Sequence, residues 1–337
     1  MAFVEPEPDA PGGGGDGGDR DEDGAATRQS FLSRLLAARD KPRSPWLLIF
    51  AVALFLVFTV TAFRALPPID RPVRWGLIIV AGLVCVPVIT ALNALEYRAM
   101  AHFADHHPPA LEIVQVSILG SAANLLPVPG AVVVRLANLH KGGVRVTRGL
   151  NLTAIIGITW VGSACVLGGI AQLFSHPGFG GVALAVGVGL MTLSLALLAR
   201  ALEPGTRLRG AVELVAIEVG FVTMQALRLF LVAAALRFDV SFDQTAVLVI
   251  AAVSAAAIGF LPAGLGAREG IAAVLAPIVG FPAAVGLVIT AVDRVVNLVV
   301  LSVFAGIVAF VTRKQRGAER ASGRSMTVSR PMEDGSS

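Results

Sequence analysis

Long apolar runs, broken by short polar stretches rich in arginine, make up most of the chain. Six of them are continuous, at residues 46–66, 74–97, 150–174, 180–200, 211–236 and 283–311. At 1.5 Å per residue each is long enough to cross a hydrocarbon core of about 30 Å as a helix. Two further apolar stretches, 111–140 and 244–280, are interrupted in the middle. The first carries "NLLPVPGAVVVR" (Asn124 to Arg135) and the second "GFLPAGLGARE" (Gly259 to Glu269). A straight helix cannot run through Pro127, Pro129 and Gly130, or through Pro262, Gly264 and Gly266, because proline removes a donor and glycine weakens the helix. The pattern predicts two half-length helices meeting at each break, a re-entrant hairpin. The expected fold is therefore all-α: six spanning helices plus two re-entrant helical hairpins.

Composition agrees with a membrane protein. Of the 337 residues 55% are hydrophobic and only 15% charged, where a soluble domain carries about 25% charged residues. The net charge of +4 is spread beside the apolar runs, which points to lipid phosphate and not to nucleic acid. Residues 1–27, Gly- and Asp-rich, are expected to be disordered, with no basic start of a signal peptide. Residues 28–45 read either as a basic amphipathic helix on the cytoplasmic surface or as a linker. The tail 312–337 is expected to be a disordered basic segment.

Charge also sets the expected topology. With both termini in the cytoplasm, Arg34, Arg39, Lys41, Arg43, Arg98, Arg135, Lys141, Arg145, Arg148, Arg200, Arg207, Arg209, Arg313, Lys314, Arg316 and Arg320 fall at the inner side. Only Arg64, Arg71, Arg74 and Arg237 fall outside, as the positive-inside tendency requires. The bias survives only if both broken stretches return to the side they left. The order span, hairpin, span then occurs twice, at 74–174 and 211–311, in opposite orientations. Such inverted repeats with broken helices recur in secondary transporters.

Irregular backbone at membrane depth must face protein or a wet cavity. A helix beginning near Ala267 would aim its free N–H groups at such a cavity, a natural seat for an anion. Arg268 stands at that start, Glu269 can cap it, and Arg135 is the looser counterpart in the first repeat. Asn124 could add a polar contact. Intramembrane polar groups mark functional or structural pairs: Glu218, Gln225 and Arg228 in one span, Asp293, Arg294 and Asn297 in another. Glu218 and Gln225 share a helix face, as do Asp293 and Asn297. Asp293 and Glu218 read first as structural partners, Arg268 and Arg294 first as ligand contacts. The histidines in "HFADHH" (His102 to His107) lack a partner cluster and read as a loop, so no metal is expected. An enzyme would show an acid–base pair at a membrane face, for which Glu96 and Asp105 are weak candidates.

The segments "NLLPVPGAVVVRLANLHKGGVRVTRGL" and "FLPAGLGAREGIAAVLAPIVGFPAAVGLVITAVDRVVNLVV" resemble the transmembrane domain of lysylphosphatidylglycerol synthases, the flippase-like family. The resemblance extends over about 46–311. It implies binding or movement of an amphipathic lipid with a polar headgroup. Together with the intramembrane charges, the expectation is an anionic or glycan-bearing headgroup held by Arg268, Glu269, Arg135, Arg294 and Asn124, with no cofactor. The abundance of Ala, Val, Gly and arginine points to a bacterial cytoplasmic membrane. Large relatives carry a soluble aminoacyl-transferase domain after the membrane region; here that activity is not expected. The alternatives are a membrane subunit working with a soluble transferase, and a scaffold.

Overall fold

A computed structural model describes residue 64 and residues 72–123, 130–258 and 267–325. Contacts divide the chain into Met1–Leu47 and Leu48–Ser337, and every described residue lies in the second unit. The tail 1–27, the segment 28–45, nearly all of span 46–66 and the tip residues Asn124, Pro127, Pro129, Pro262, Gly264 and Gly266 lie outside the described residues.

The fold is all-helical among the described residues. Helix α1 runs Trp75–Phe103, with a π-helical turn at Ala81–Cys85. It is followed by α2 (Ala110–Ala123), α3 (Gly130–Lys141), α4 (Val146–Gln172), α5 (Pro177–Ala201) and α6 (Arg207–Ala235). The last three are α7 (Phe242–Ile258), α8 (Ala267–Ile278) and α9 (Ala283–Ser325). Among the described residues, five helices are long and apolar enough to cross a membrane: α1, α4, α5, α6 and the Ala283–Ile307 part of α9. Leu83, Val182, Val212 and Val299 stand exposed on them, which suits hydrocarbon and would be costly in water.

Helices α2, α3 and α8 are too short to span. Their 14, 12 and 12 residues give about 18–21 Å at 1.5 Å per residue. The two Leu-Pro-Gly motifs that precede α3 and α8, residues 124–129 and 259–266, lie outside the described residues. Gly130, at the first break, is buried at the start of α3.

Side-chain and backbone contacts define two ends of the bundle. At one end Arg148 Nη2 donates to the Phe103 carbonyl over 2.9 Å. Gly210 packs against Phe103 and Leu202, and the His106 ring lies where a side chain on Gly142 would stand. The approach to α2 and the end of α3 thus meet at this end. At the other end the Arg74 amide donates to the Ala235 carbonyl over 2.9 Å. Gln172 Nε2 donates to Asp243 Oδ2 over 3.2 Å, and Gln244 Nε2 to the Val279 carbonyl over 2.8 Å. The start of α7 and the end of α8 meet here. The two short-helix pairs open toward opposite ends.

Four left-handed residues close helices in matching places: Asp105 after α1, Gly143 after α3, Arg237 after α6 and Gly280 after α8. In each the following amide reaches back five residues: His106 to Ala101, Val144 to Leu139, Phe238 to Ala233 and Phe281 to Ala276, at 2.9–3.1 Å. This is the Schellman closure, in which a residue of positive φ lets the chain turn off the helix. Packing follows the same correspondence. Helix α1 lies against α6, α7 against α4 and α2 against α9.

Two apolar clusters fill the bundle. One joins Val222, Leu229, Val232, Leu248 and Ile289; the other joins Tyr97, Met100, Leu139, Leu152 and Leu214. Helices α4 and α5 approach backbone to backbone. A Cβ on Gly169 would stand 2.5 Å from the Leu184 nitrogen, and one on Gly187 2.6 Å from the Val166 nitrogen. Only glycine permits that seam.

One boundary differs from the sequence expectation. Helix α9 continues past residue 311 to Ser325, where a disordered tail was expected from 312. The stretch "RKQRGAER" is made mostly of good helix formers, and it extends a helix already nucleated by its packed part.

Candidate functional site

Among the described residues, two clusters of charged side chains lie inside the bundle. In the first, α1 presents Asn93, Glu96 and Tyr97 on one face, at spacings of three and four residues. Helix α3 presents Arg135 and Asn138 in the same way. Arg135 Nη1 donates to Glu96 Oε1 over 2.5 Å, and its Nη2 to Asn93 Oδ1 over 3.3 Å. The Tyr97 hydroxyl donates to Asn138 Oδ1. Asn138 Nδ2 in turn donates to Glu112 Oε1 of α2 over 2.6 Å. Arg135 and Glu96 are 11% and 9% exposed, so Arg135 sits buried within the bundle. Its carboxylate partner offsets the cost of that burial.

Glu218 of α6 completes this cluster. It is 1% exposed and interacts electrostatically with both Glu96 and Arg135. Neither of its carboxyl oxygens meets a hydrogen-bond partner. Gln225, two turns further along α6, is also buried, with its Oε1 unmet.

The second cluster joins α6, α8 and α9. Arg228 grips Asp293 with two donors, Nε to Oδ1 at 2.6 Å and Nη2 to Oδ2 at 3.1 Å. Its Nη1 donates to Asn297 Oδ1 over 2.8 Å. Arg268 Nη2 donates to the same Asp293 Oδ2 over 2.6 Å. Beside it Arg294 Nη1 donates to Glu269 Oε1 over 2.8 Å. A fork of this kind fits the planar guanidinium to the planar carboxylate. Asp293 is fully buried, while the Arg268 side chain keeps 13% exposure and its Nε has no acceptor.

The sequence stripes on α6 and α9 therefore do face each other: Arg228 meets both Asp293 and Asn297. Glu218 belongs to the other cluster. Arg268, Arg294 and Arg135, read first as ligand contacts, each also hold a carboxylate. Glu269, read as a helix cap, receives Arg294. Asn93, Tyr97, Glu112 and Asn138 were not singled out from the sequence. The spacing of Asn93, Glu96 and Tyr97 carried the signal, but the apolar run was ended at 97, which left Glu96 at an interface instead of inside a helix reaching Phe103. His102, expected in a loop, lies in the last turn of α1; its ring centroid is 4.9 Å from that of His107, with the rings tilted by 34°.

Five membrane-length apolar helices among the described residues define a polytopic integral membrane protein. Residues 46–305 match the family model of the lysylphosphatidylglycerol synthase TM region. The match takes in well over half of the chain, and the protein belongs to that family. A comparison with curated proteins finds no match.

Proposed function

We propose that the protein binds the anionic or glycan-bearing headgroup of a membrane lipid and carries the lipid across the bilayer without changing its covalent structure. The observation that carries the reading is the charge of the second cluster. Three guanidiniums, Arg228, Arg268 and Arg294, surround two carboxylates, Asp293 and Glu269. A positive surplus in a buried place favours an anion, and phosphate suits the guanidinium fork. Arg268 is the residue to engage it. It opens α8, where the helix dipole adds to the attraction, and it keeps both exposure and an unused donor.

The arrangement of the helices supports movement. In this reading α2–α3 and α7–α8 are re-entrant hairpins within inverted repeats 74–174 and 211–311, entering from opposite faces. Both termini lie in the cytoplasm of a bacterial cell. Their paired caps and opposite openings are what alternating exposure of a central site requires. Cysteine labelling with an impermeant reagent, after replacing Cys85 and Cys165, tests the topology. Positions 242 and 281 should label from outside, and 140 and 205 should not.

The lipid reading is tested with purified protein in vesicles containing labelled phosphatidylglycerol. Outer-leaflet quenching should report translocation, and mass spectrometry an unchanged lipid. Arg268→Ala should abolish it while folding persists, and Arg268→Lys should retain part. The family's name favours a second reading, a membrane subunit serving a soluble transferase. A new aminoacylated or glycosylated lipid, formed with donor and partner present and without translocation, would reverse the ranking.

A further inference from the structure

One arginine and two carboxyl groups are gathered in the first cluster. Glu96, Arg135 and Glu218 come from three different helices, α1, α3 and α6. Arg135 is bound to Glu96, and Glu218 is left with two buried oxygens that meet no donor. A buried carboxylate without a partner costs several kcal/mol. The same side chain with a proton on it does not carry that cost.

We propose that Glu218 is a proton-binding site, and that a proton and the Arg135 guanidinium are alternative partners for its carboxyl. In the arrangement seen, Glu96 is the ionised partner of Arg135 and Glu218 holds the proton. In the alternative, Arg135 swings to an ionised Glu218 and the proton goes to Glu96. Two carboxyls, one guanidinium and one proton sum to zero charge in both, so neither state leaves a net buried charge. The proton lost from one carboxyl is the proton gained by the other, directly or through solvent.

The surroundings leave these three groups to settle the matter among themselves. From α3, Arg135 faces the site, and from α1, Glu96 does. Helix α4 contributes Cys165 and Arg148, the latter turned to Asp105 over 2.7 Å. From α7, Asp243 accepts from Gln172. The charges of α9, Asp293 and Arg294, are held by Arg228 and Arg268 and by Glu269. On α2, Glu112 is held by Asn138.

Infrared difference spectroscopy of the full-length protein in lipid vesicles at neutral pH tests the assignment. It needs no transported lipid, so its failure leaves the headgroup reading untouched, and failure of that reading leaves this one standing. The wild type should show the carbonyl stretch of a protonated, buried carboxyl, and Glu218→Gln should lose it. In Glu96→Gln, Arg135 is freed to pair with Glu218, so the Glu218 band should vanish there too although Glu218 is intact. Absence of the band from the wild type would overturn the proposal. So would its survival in Glu218→Gln, or its persistence unchanged in Glu96→Gln.

Discussion

The two buried clusters are opposite in charge balance. In the first, Arg135 stands among Glu96 and Glu218. In the second, Asp293 alone holds both Arg228 and Arg268. The first cluster has a carboxyl to spare, Glu218 of α6, and the second a guanidinium. Two clusters of unlike charge in one bundle suit different ligands, a proton at the first and an anion at the second. A purely structural pair of ion bridges would have no need of the surplus on either side.

Removing a carboxylate should hurt the second cluster most. Asp293→Ala strands two buried guanidiniums, and losing one partner of a buried pair costs about 3–5 kcal/mol. Unfolding of the detergent-solubilised protein should show a loss at the top of that range, or failure to accumulate folded protein. Asp293→Ala combined with Arg228→Met should recover part of it, since one stranded charge goes too. Glu96→Gln should cost distinctly less, on the order of 1–3 kcal/mol, because Glu218 is at hand to receive Arg135. Equal losses for Asp293→Ala and Glu96→Gln would break the comparison.

The matched helix ends sharpen it with smaller effects. Gly143→Ala and Gly280→Ala force a β-carbon into the left-handed region, at about 1–2 kcal/mol each. The two losses should be similar if the halves are built alike. At Arg237, already left-handed with a side chain, glycine should be neutral or stabilise by less than about 1 kcal/mol. A large loss there would mean that its contact with the Pro72 carbonyl matters more than the backbone.

Much of the architecture was legible in the sequence. Uninterrupted apolar runs announce helices of membrane length, because hydropathy is a property of the local chain. The meeting of α6 with α9 was legible in part, from polar residues spaced to share a face. Partner choice was not, since it depends on which helices lie side by side. Yet one signal was present. Arg268–Glu269 on α8 and Asp293–Arg294 on α9 are adjacent pairs of opposite order, and the structure joins them crosswise, Arg268 to Asp293 and Glu269 to Arg294. The first cluster was harder to see. Tyrosine counts as apolar in a hydropathy run, and Glu96 falls one residue before the point where that run was ended.

The Arg228–Asp293 fork has a consequence for how the protein is made. Its two partners lie 65 residues apart in the chain. At a synthesis rate of about 5–20 residues per second, Asp293 emerges roughly 3–13 s after Arg228. Throughout that interval α6 carries an arginine whose insertion alone is disfavoured by about 2.5–3.5 kcal/mol at mid-membrane. Until α9 arrives, Arg228 of α6 lacks the carboxylate it grips in the folded protein. The last spanning helix is thus the counter-ion that lets an earlier one settle in the bilayer.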